Sequence, residues 1–469
     1  MSEMMKKAAE AAGLVVKNIL FIGYTLQIGL GLIWMGANFL KVQEFLPVDT
    51  GLYTCFYHLP KGAYAIVYLL QLGAALYAGY RLIFKLCSVR RAFCFWGSLA
   101  LMTLPMAMQC HLALLPYSFV CSLELMKLSF VCGLAGKDEG IASPVKVLAG
   151  ILVCFGLQCL LWPKYSLPGA VLPLLLLLWK LPGLFRKKGQ LLKGLLLAIC
   201  FLAVTAAGWG VERGREDLQG SSLGWSWPFV KRVCWPTLWA DWGERPEEIG
   251  LENGSVIWQS AYYPYYMEQY FKPALEEAVT SEEARAIMKK MIAYAWRVHY
   301  PMVVRQMGWD VLGYGVTPLI LPLQLAGEAY DSCSGRNYEV MRNETPALTK
   351  YYVRTACTWF GVSLVLTAAG AVFGVIGRPW KSRKGSVSAA SRNIFRRMPW
   401  LFPALAVLFS LSMVILFFTM QGAGIMDYKY TVWINQLWIL GSIKIVCGER
   451  KEGQVKEHEI KGIAGRIGI

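Results

Sequence analysis

The chain has 469 residues, of which 56% are hydrophobic and only 16% are charged, and its mean hydropathy is +0.42. Soluble domains are about 45–50% apolar and about 25% charged, so this composition argues against a soluble fold and indicates a surface that largely faces lipid. The net charge of +17 would indicate nucleic-acid binding in a soluble protein. In a membrane protein the same excess lies on cytoplasmic loops, and we expect no nucleic-acid partner.

Ten apolar segments approach the length of about 20 residues that a transmembrane helix needs. They cover residues 18–40, 62–80, 93–113, 116–135, 146–162, 166–184, 191–210, 355–377, 399–420 and 430–447. We therefore predict an all-α polytopic membrane protein with about ten transmembrane helices. Its domains would be a seven-helix module (1–210), an aromatic-rich outer domain (211–354), a three-helix module (355–447) and a basic cytoplasmic tail (448–469).

The distribution of charge predicts the orientation, because lysine and arginine concentrate on the cytoplasmic side. With the N-terminus inside, the predicted inner segments carry 27 basic and 8 acidic residues, and the outer segments carry 19 and 21. The loop from Arg378 to Arg397 alone holds seven basic residues and no acid. We therefore place both termini in the cytoplasm and the protein in the plasma membrane.

One apolar stretch could reverse this topology. Leu312 to Ala326 is apolar, but it is short and contains Pro318 and Pro322. If it crossed the membrane, the basic loop at 378–397 would lie outside. We interpret it as a re-entrant or interfacial segment.

The outer domain, expected to be helical or mixed and about 145 residues long, contains one confident helix start. Thr280 and Glu283 form a capping-box pattern, and apolar residues recur at helical spacing from Ala284 to Trp296. The domain is also rich in tryptophan and tyrosine. These rings could form a belt at the lipid headgroups or a surface on which sugars stack.

Ionisable residues within the apolar segments are scarce. Glu124 and Lys127 form the one pair well inside a segment, three residues apart on one helix face. They could form a structural ion pair or a functional one. Since the sequence shows neither several intramembrane acids nor an interrupted helix, ion-coupled transport is disfavoured.

Several residues could carry chemistry at the predicted outer face. Glu44 and Asp49 lie in the loop after the first segment, where a carboxylate could deprotonate an acceptor hydroxyl. His111 ends the third segment as either a binding residue or a satisfied interfacial one. Outer arginines could hold the phosphate of a lipid-linked sugar.

Four stretches, together with this layout, resemble a known class. They are His111-Leu-Ala-Leu-Leu-Pro-Tyr-Ser-Phe119, the short paired segments around Trp162-Pro163-Lys164, Glu44-Phe45 with Asp49-Thr50, and Asn337-Tyr338-Glu-Val-Met341. Across about residues 15–355 the chain resembles the GT-C class of membrane glycosyltransferases, which use polyprenyl-phosphate sugars, and is most similar to family-39-like uncharacterised bacterial members. The first outer loop is shorter than is usual in that class.

The resemblance implies inverting transfer of a sugar from a polyprenyl-phosphate donor to an envelope acceptor, with no metal or cofactor and with membrane lipid as a further partner. Asp49 or Glu44 would be the catalytic base. The substrate-binding candidates are His111, Arg232, Trp235, Arg297, Arg336, Asn337 and Tyr338. Two alternatives stay open: a lipid-linked sugar ligase or polymerase that uses Arg297, His299 and Arg305, and a non-enzymatic transporter or assembly protein.

Overall fold

The structure is a computed structural model that describes residues 3–39, 51–87, 91–112, 114, 116–134, 144–185, 191–218, 229–230, 280–326, 346–376, 401–419 and 432–447. All regular secondary structure within these ranges is helical. The N-terminal part forms α1 (Glu3–Asn38), α2 (Tyr64–Cys87), α3 (Arg91–Met102), α4 (Pro105–His111), α5 (Tyr117–Leu134), α6 (Pro144–Leu161), α7 (Ser166–Phe185) and α8 (Leu191–Leu218). The later part forms α9 (Ser281–Val298), α10 (Tyr300–Ala326), α11 (Pro346–Ile376), α12 (Leu401–Thr419) and α13 (Val432–Cys447). Short 3-10 helices cover Leu52–His58, Lys61–Ala63 and Pro163–Tyr165.

A helix occupies each of the ten predicted apolar segments, and the third is divided between α3 and α4. Among the described residues, three helices are long and apolar enough to cross a membrane: Ala11–Asn38, Tyr64–Cys87 and Gly194–Val211. The bent pair of α3 and α4 becomes a fourth if it counts as one span. Large aliphatic side chains on these helices face outward, with Ile22 66% exposed and Leu202 63% exposed. Such apolar outer faces favour association with a membrane.

Helices α1 and α11 run antiparallel. Trp34 Nε1 near the end of α1 donates to Thr349 Oγ1 at the start of α11 over 3.0 Å. Further down, the ring of Trp359 lies directly on Gly23, where any Cβ would overlap it. We name the end of the bundle at which α1 finishes the upper end, and the opposite end the lower end.

Contacts between neighbouring helices extend this alternation through the bundle. In α13, Trp433 Nε1 donates to Tyr165 OH over 3.1 Å at the upper end, and Lys444 Nζ donates to the Leu86 carbonyl at the lower end of α2 over 3.2 Å. Helix α8 rises beside α6 until Gly208 lies against Ser166, the first residue of α7. The first helix therefore starts, and the last one ends, at the lower end.

Helix α10 contains the apolar stretch from Leu312 to Ala326, but it begins at Tyr300 and has a non-helical residue at Val316. It packs against α11, where Cys357 Sγ donates to the Pro318 carbonyl over 2.7 Å. Because α8 ends and α11 begins at the upper end, the segment between them returns to the end from which it left. The interpretation of Leu312 to Ala326 as a re-entrant or interfacial segment stays a prediction, because residues 327–345, which join α10 to α11, lie outside the described residues.

The capping box predicted for the outer region is present at the start of α9. Thr280 Oγ1 accepts from the Glu283 backbone N–H over 3.3 Å, and Glu283 Oε2 accepts from the Thr280 backbone N–H over 2.8 Å. The backbone N–H of Thr280 lowers the pKa of the Glu283 carboxyl below its usual value. The predicted apolar face is buried at Ala284, Met288 and Ala295, but Trp296 is 38% exposed.

Candidate functional site

The third apolar segment is interrupted by a bend of 87° between α3 and α4. With 12 residues, α3 rises only about 18 Å, which is short of the hydrocarbon thickness of about 30 Å. Leu104 is extended, with φ −63° and ψ 134°, and Pro105 starts α4. Proline cannot donate a backbone hydrogen bond and disfavours helical geometry in the residue before it. The expectations of a continuous helix over 93–113 and of no interrupted helix were therefore wrong.

Side chains from three helices satisfy the carbonyl groups that the bend frees. Gln27 Nε2 of α1 donates to the Ala100 carbonyl over 3.1 Å, and Gln436 Nε2 of α13 donates to the Leu101 carbonyl over 3.1 Å. Tyr352 OH of α11 donates to the Thr103 carbonyl over 2.6 Å. Backbone groups that are buried away from water require such internal partners, and here three different helices supply them.

His111 is the last residue of α4 and is only 2% exposed. Its Nδ1 lies 2.7 Å from Ser118 Oγ in the first turn of α5. Its Nε2 is buried and has no hydrogen-bond partner among the described residues. The histidine therefore lies at the α4–α5 turn, as predicted, but it faces the protein interior.

A hydrogen-bonded chain connects His111 to the second half of the first predicted outer loop, which covers residues 41–61. Tyr53 OH in the 3-10 helix Leu52–His58 donates to Gln71 Oε1 of α2 over 2.7 Å. Gln71 Nε2 then donates to the carbonyl of His111 over 3.0 Å and to that of Cys110 over 3.3 Å. All these groups are buried, so the link is a fixed part of the upper end.

Gly51 joins the same region to the α6–α7 turn. Its φ is +33°, a conformation that favours glycine, and an added Cβ would collide with the Leu160 carbonyl and Pro163. The end of the first loop, the end of α4 and the α6–α7 turn therefore meet at the upper end. The predicted residues Glu44, Asp49, Arg232, Trp235, Arg336, Asn337 and Tyr338 lie outside the described residues.

Arg297 and His299, by contrast, gather at the α9–α10 junction. The Arg297 guanidinium carbon lies 5.9 Å from the centroid of the Tyr294 ring, and the ring centroids of Tyr294 and His299 are 5.7 Å apart. Arg305 follows on the exposed side of α10. These residues belong to α9, α10 and the junction between them, not to α4. The ligase or polymerase alternative uses Arg297, His299 and Arg305, so its site would lie here.

Glu124 and Lys127 form a fully buried ion pair, with 2.7 Å between Lys127 Nζ and Glu124 Oε1 and side-chain exposures of 0% and 1%. Glu124 Oε1 also accepts from Tyr165 OH over 2.9 Å and from Gln158 Nε2 over 3.2 Å. Lys127 Nζ donates in addition to the Gly169 carbonyl over 2.9 Å. The pair therefore connects α5 to α6, to the α6–α7 turn and, through Trp433, to α13.

The sequence interpretation missed the carboxamide side chains that contact the bend and the upper end. Gln27, Gln71, Gln109, Asn435 and Gln436 are all buried within apolar segments. Asparagine and glutamine at such positions are themselves a signal, since each needs hydrogen-bond partners away from water. Comparisons with known protein families, with curated proteins and with solved structures find no match to this chain.

Proposed function

We propose that this protein is an integral membrane glycosyltransferase that moves a sugar from a polyprenyl-phosphate donor to an envelope acceptor at the outer face of the plasma membrane. The observation that carries this proposal is the Tyr53–Gln71–His111 link. It joins the α4–α5 turn to the part of the first loop that follows the acids Glu44 and Asp49. The resemblance to GT-C enzymes expects these two features to lie side by side.

In this proposal the ten apolar helices cross the membrane, and the upper end faces outward. Both termini are then cytoplasmic, together with the basic loop at 378–397, as the positive-inside rule requires. The segment between α8 and α11 forms the outer domain, because both of its ends lie at the upper end. The donor reaches the site from the surrounding membrane lipid.

The chemistry needs one base and a set of phosphate ligands. Asp49, two residues before Gly51, or Glu44 takes the proton from an acceptor hydroxyl. The acceptor oxygen attacks the anomeric carbon, the bond from that carbon to the phosphate oxygen breaks, and polyprenyl phosphate leaves. The configuration at the anomeric carbon is inverted. His111 and the arginines at 232, 297 and 336 bind the donor phosphate, while Trp235, Asn337 and Tyr338 contact the sugar.

The test is transfer of radiolabelled sugar from polyprenyl-phosphate donors by the full-length protein in proteoliposomes. The double variant Asp49→Asn, Glu44→Gln should lower the rate on the order of 10²–10⁴-fold and leave donor binding intact. Glu282→Gln on the exposed surface of α9 is the matched control. Full activity in the double variant refutes the mechanism. If the double variant is fully active while Arg297→Ala or His299→Ala abolishes activity, the assignment moves to the ligase or polymerase alternative.

The bend between α3 and α4 favours one second candidate, non-enzymatic transport. Interrupted helices with satisfied backbone groups form substrate sites near the middle of the membrane in many transporters. Uptake of a solute into proteoliposomes that persists in the Asp49→Asn, Glu44→Gln variant would favour this candidate over the enzyme.

A further inference from the structure

Four buried carboxamides surround the bend between α3 and α4, and we call them the carboxamide layer: Gln27, Gln109, Asn435 and Gln436. Their exposures are 0%, 6%, 0% and 3%. Five of their polar atoms have no hydrogen-bond partner within the described part of the chain: Gln27 Oε1, Gln436 Oε1, Gln109 Nε2, and Oδ1 and Nδ2 of Asn435. His111 Nε2 is a sixth such atom on the same short helix as Gln109.

Hydrogen bonds at the bend hold Gln27 and Gln436 close to each other. They bind the carbonyls of consecutive residues, Ala100 and Leu101, from the neighbouring helices α1 and α13, which also contact each other. Asn435 precedes Gln436 in the chain. Gln109 lies one turn into α4, about 6 Å along the helix from Pro105, and α4 packs against both α1 and α13.

An unsatisfied buried polar group destabilises the folded protein, whereas an apolar side chain of the same shape in its place does not. Native proteins rarely keep such groups without a partner. The concentration of orphaned atoms on α1, α4 and α13 therefore indicates that the layer has a partner beyond the protein chain.

The chemistry of the layer defines that partner. Its free atoms are uncharged, and the partners of Gln27 and Gln436 are uncharged carbonyl and hydroxyl groups. A cation would need oxygen acceptors alone, but two of the five free atoms, Gln109 Nε2 and Asn435 Nδ2, are donors. The free atoms include both acceptors and donors, and a hydroxyl group is the ligand that donates and accepts at once.

We propose that the carboxamide layer is a binding site for the hydroxyl groups of a neutral ligand. Two sources present this chemistry: the sugar of a lipid-linked donor, which rests on the proposed glycosyltransferase function, and water held along the bend. The layer would select for the sugar, whereas the phosphate of the donor would bind elsewhere.

The test compares two probes on the full-length protein in detergent: a polyprenyl-phosphate glucose and the same polyprenyl phosphate without the sugar. Dissociation constants come from ligand-dependent shifts in Tm. We expect the glucose-bearing lipid to bind more tightly, and Asn435→Leu or Gln109→Met to weaken it about tenfold without affecting the sugar-free lipid. Gln158→Met, a buried carboxamide of α6 outside the layer, should leave the preference for glucose unchanged.

The outcomes separate the two sources and the two proposals. Equal binding of both lipids, together with a lower Tm of Asn435→Leu without ligand, assigns the layer to water. If Asn435→Leu raises Tm and leaves lipid binding unchanged, the proposal is overturned, since the native amide then has no partner. If Asn435→Leu does not fold, Tm and binding are measured on Gln109→Met instead. If the protein transfers sugar and both variants keep the preference for the glucose-bearing lipid, the sugar site is overturned and the proposed function stands. If both variants lose that preference and the protein transfers no sugar, the proposed function is overturned and the sugar site stands.

Discussion

Replacing Lys127 by methionine leaves the Glu124 carboxylate without its counter-charge in the middle of the helical bundle. Methionine has nearly the shape of the lysine stem, so the packing against Phe155, whose ring centroid lies 5.8 Å from Lys127 Nζ, is retained. Glu124 Oε1 keeps only the donors Tyr165 OH and Gln158 Nε2. The variant therefore isolates the loss of charge from the loss of volume.

The expected cost follows from the burial of both partners. Breaking a buried ion pair by removal of one partner costs about 3–5 kcal/mol, because an uncompensated charge remains. With an unfolding entropy of about 2.1 cal/mol/K per residue, a chain of 469 residues should lose about 3–5 °C in Tm. The double variant Glu124→Gln, Lys127→Met removes both charges and keeps an oxygen that accepts from Tyr165, so most of the lost stability should return.

Thermal unfolding of the detergent-solubilised protein, followed by tryptophan fluorescence, measures these differences. The control is Lys164→Met, an exposed lysine in the turn beside Tyr165, which should change stability by less than about 0.5 kcal/mol. If the double variant is as unstable as Lys127→Met alone, the stranded charge is not the cause of the loss. The pair would then act through the hydrogen bonds of its ammonium group, including that to the Gly169 carbonyl.

Three further predictions concern topology, the upper end and α9. In a cysteine-free background, a cysteine at 385 should be protected from an impermeant reagent outside the cell and one at 254 should react, and the reverse pattern would invert the proposed orientation. Gln71→Leu removes the described hydrogen bonds to Tyr53, Cys110 and His111 and should lower both Tm and transfer, whereas Tyr53→Phe removes the one to Gln71 and should cost about 0.5–1.5 kcal/mol; equal effects would show that the link to His111 is unimportant. Because the pKa of Glu283 is lowered in the folded protein, its support of α9 should be complete above about pH 4.5 and fade as the pH falls through the lowered value. Hydrogen exchange of the first turn of α9 measures this, and Glu283→Gln should abolish the pH dependence.

Hydropathy alone located the ten apolar helices, because a long apolar run has few ways to satisfy its backbone away from water. The ends of the helices were less predictable. Helix α11 begins at Pro346, ahead of the predicted start at 355. Its first turns are polar, but Thr349 and Tyr352 are buried against Trp34 and Thr103, so tertiary contacts extend the helix beyond its apolar run.

The ion pair and the capping box were predictable because each depends on residues three apart on one helix. The bend and the carboxamide layer depend on residues far apart in the chain, such as Gln27, Thr103, Tyr352 and Gln436. Pro105 was the local signal for the bend. Which helices would supply the donors to its free carbonyls could not be read from a single sequence, because no spacing relates them.

The direction of α11 decides how the basic loop relates to the candidate site. The hydrogen bond from Trp34 to Thr349 places the start of α11 beside the end of α1, and the contact of Trp359 with Gly23 fixes its descent to the lower end. Residues 378–397, with seven basic residues and no acid, therefore follow a helix that ends opposite His111 and Gly51. The contacts of α11 and the positive-inside rule use independent information, one from packing and one from charge. The contacts direct α11 away from His111 and Gly51, and the charge argument predicts that the loop after α11 lies on the opposite side of the membrane from the first loop. External labelling of a cysteine at 385 would contradict the charge argument while leaving the antiparallel packing intact.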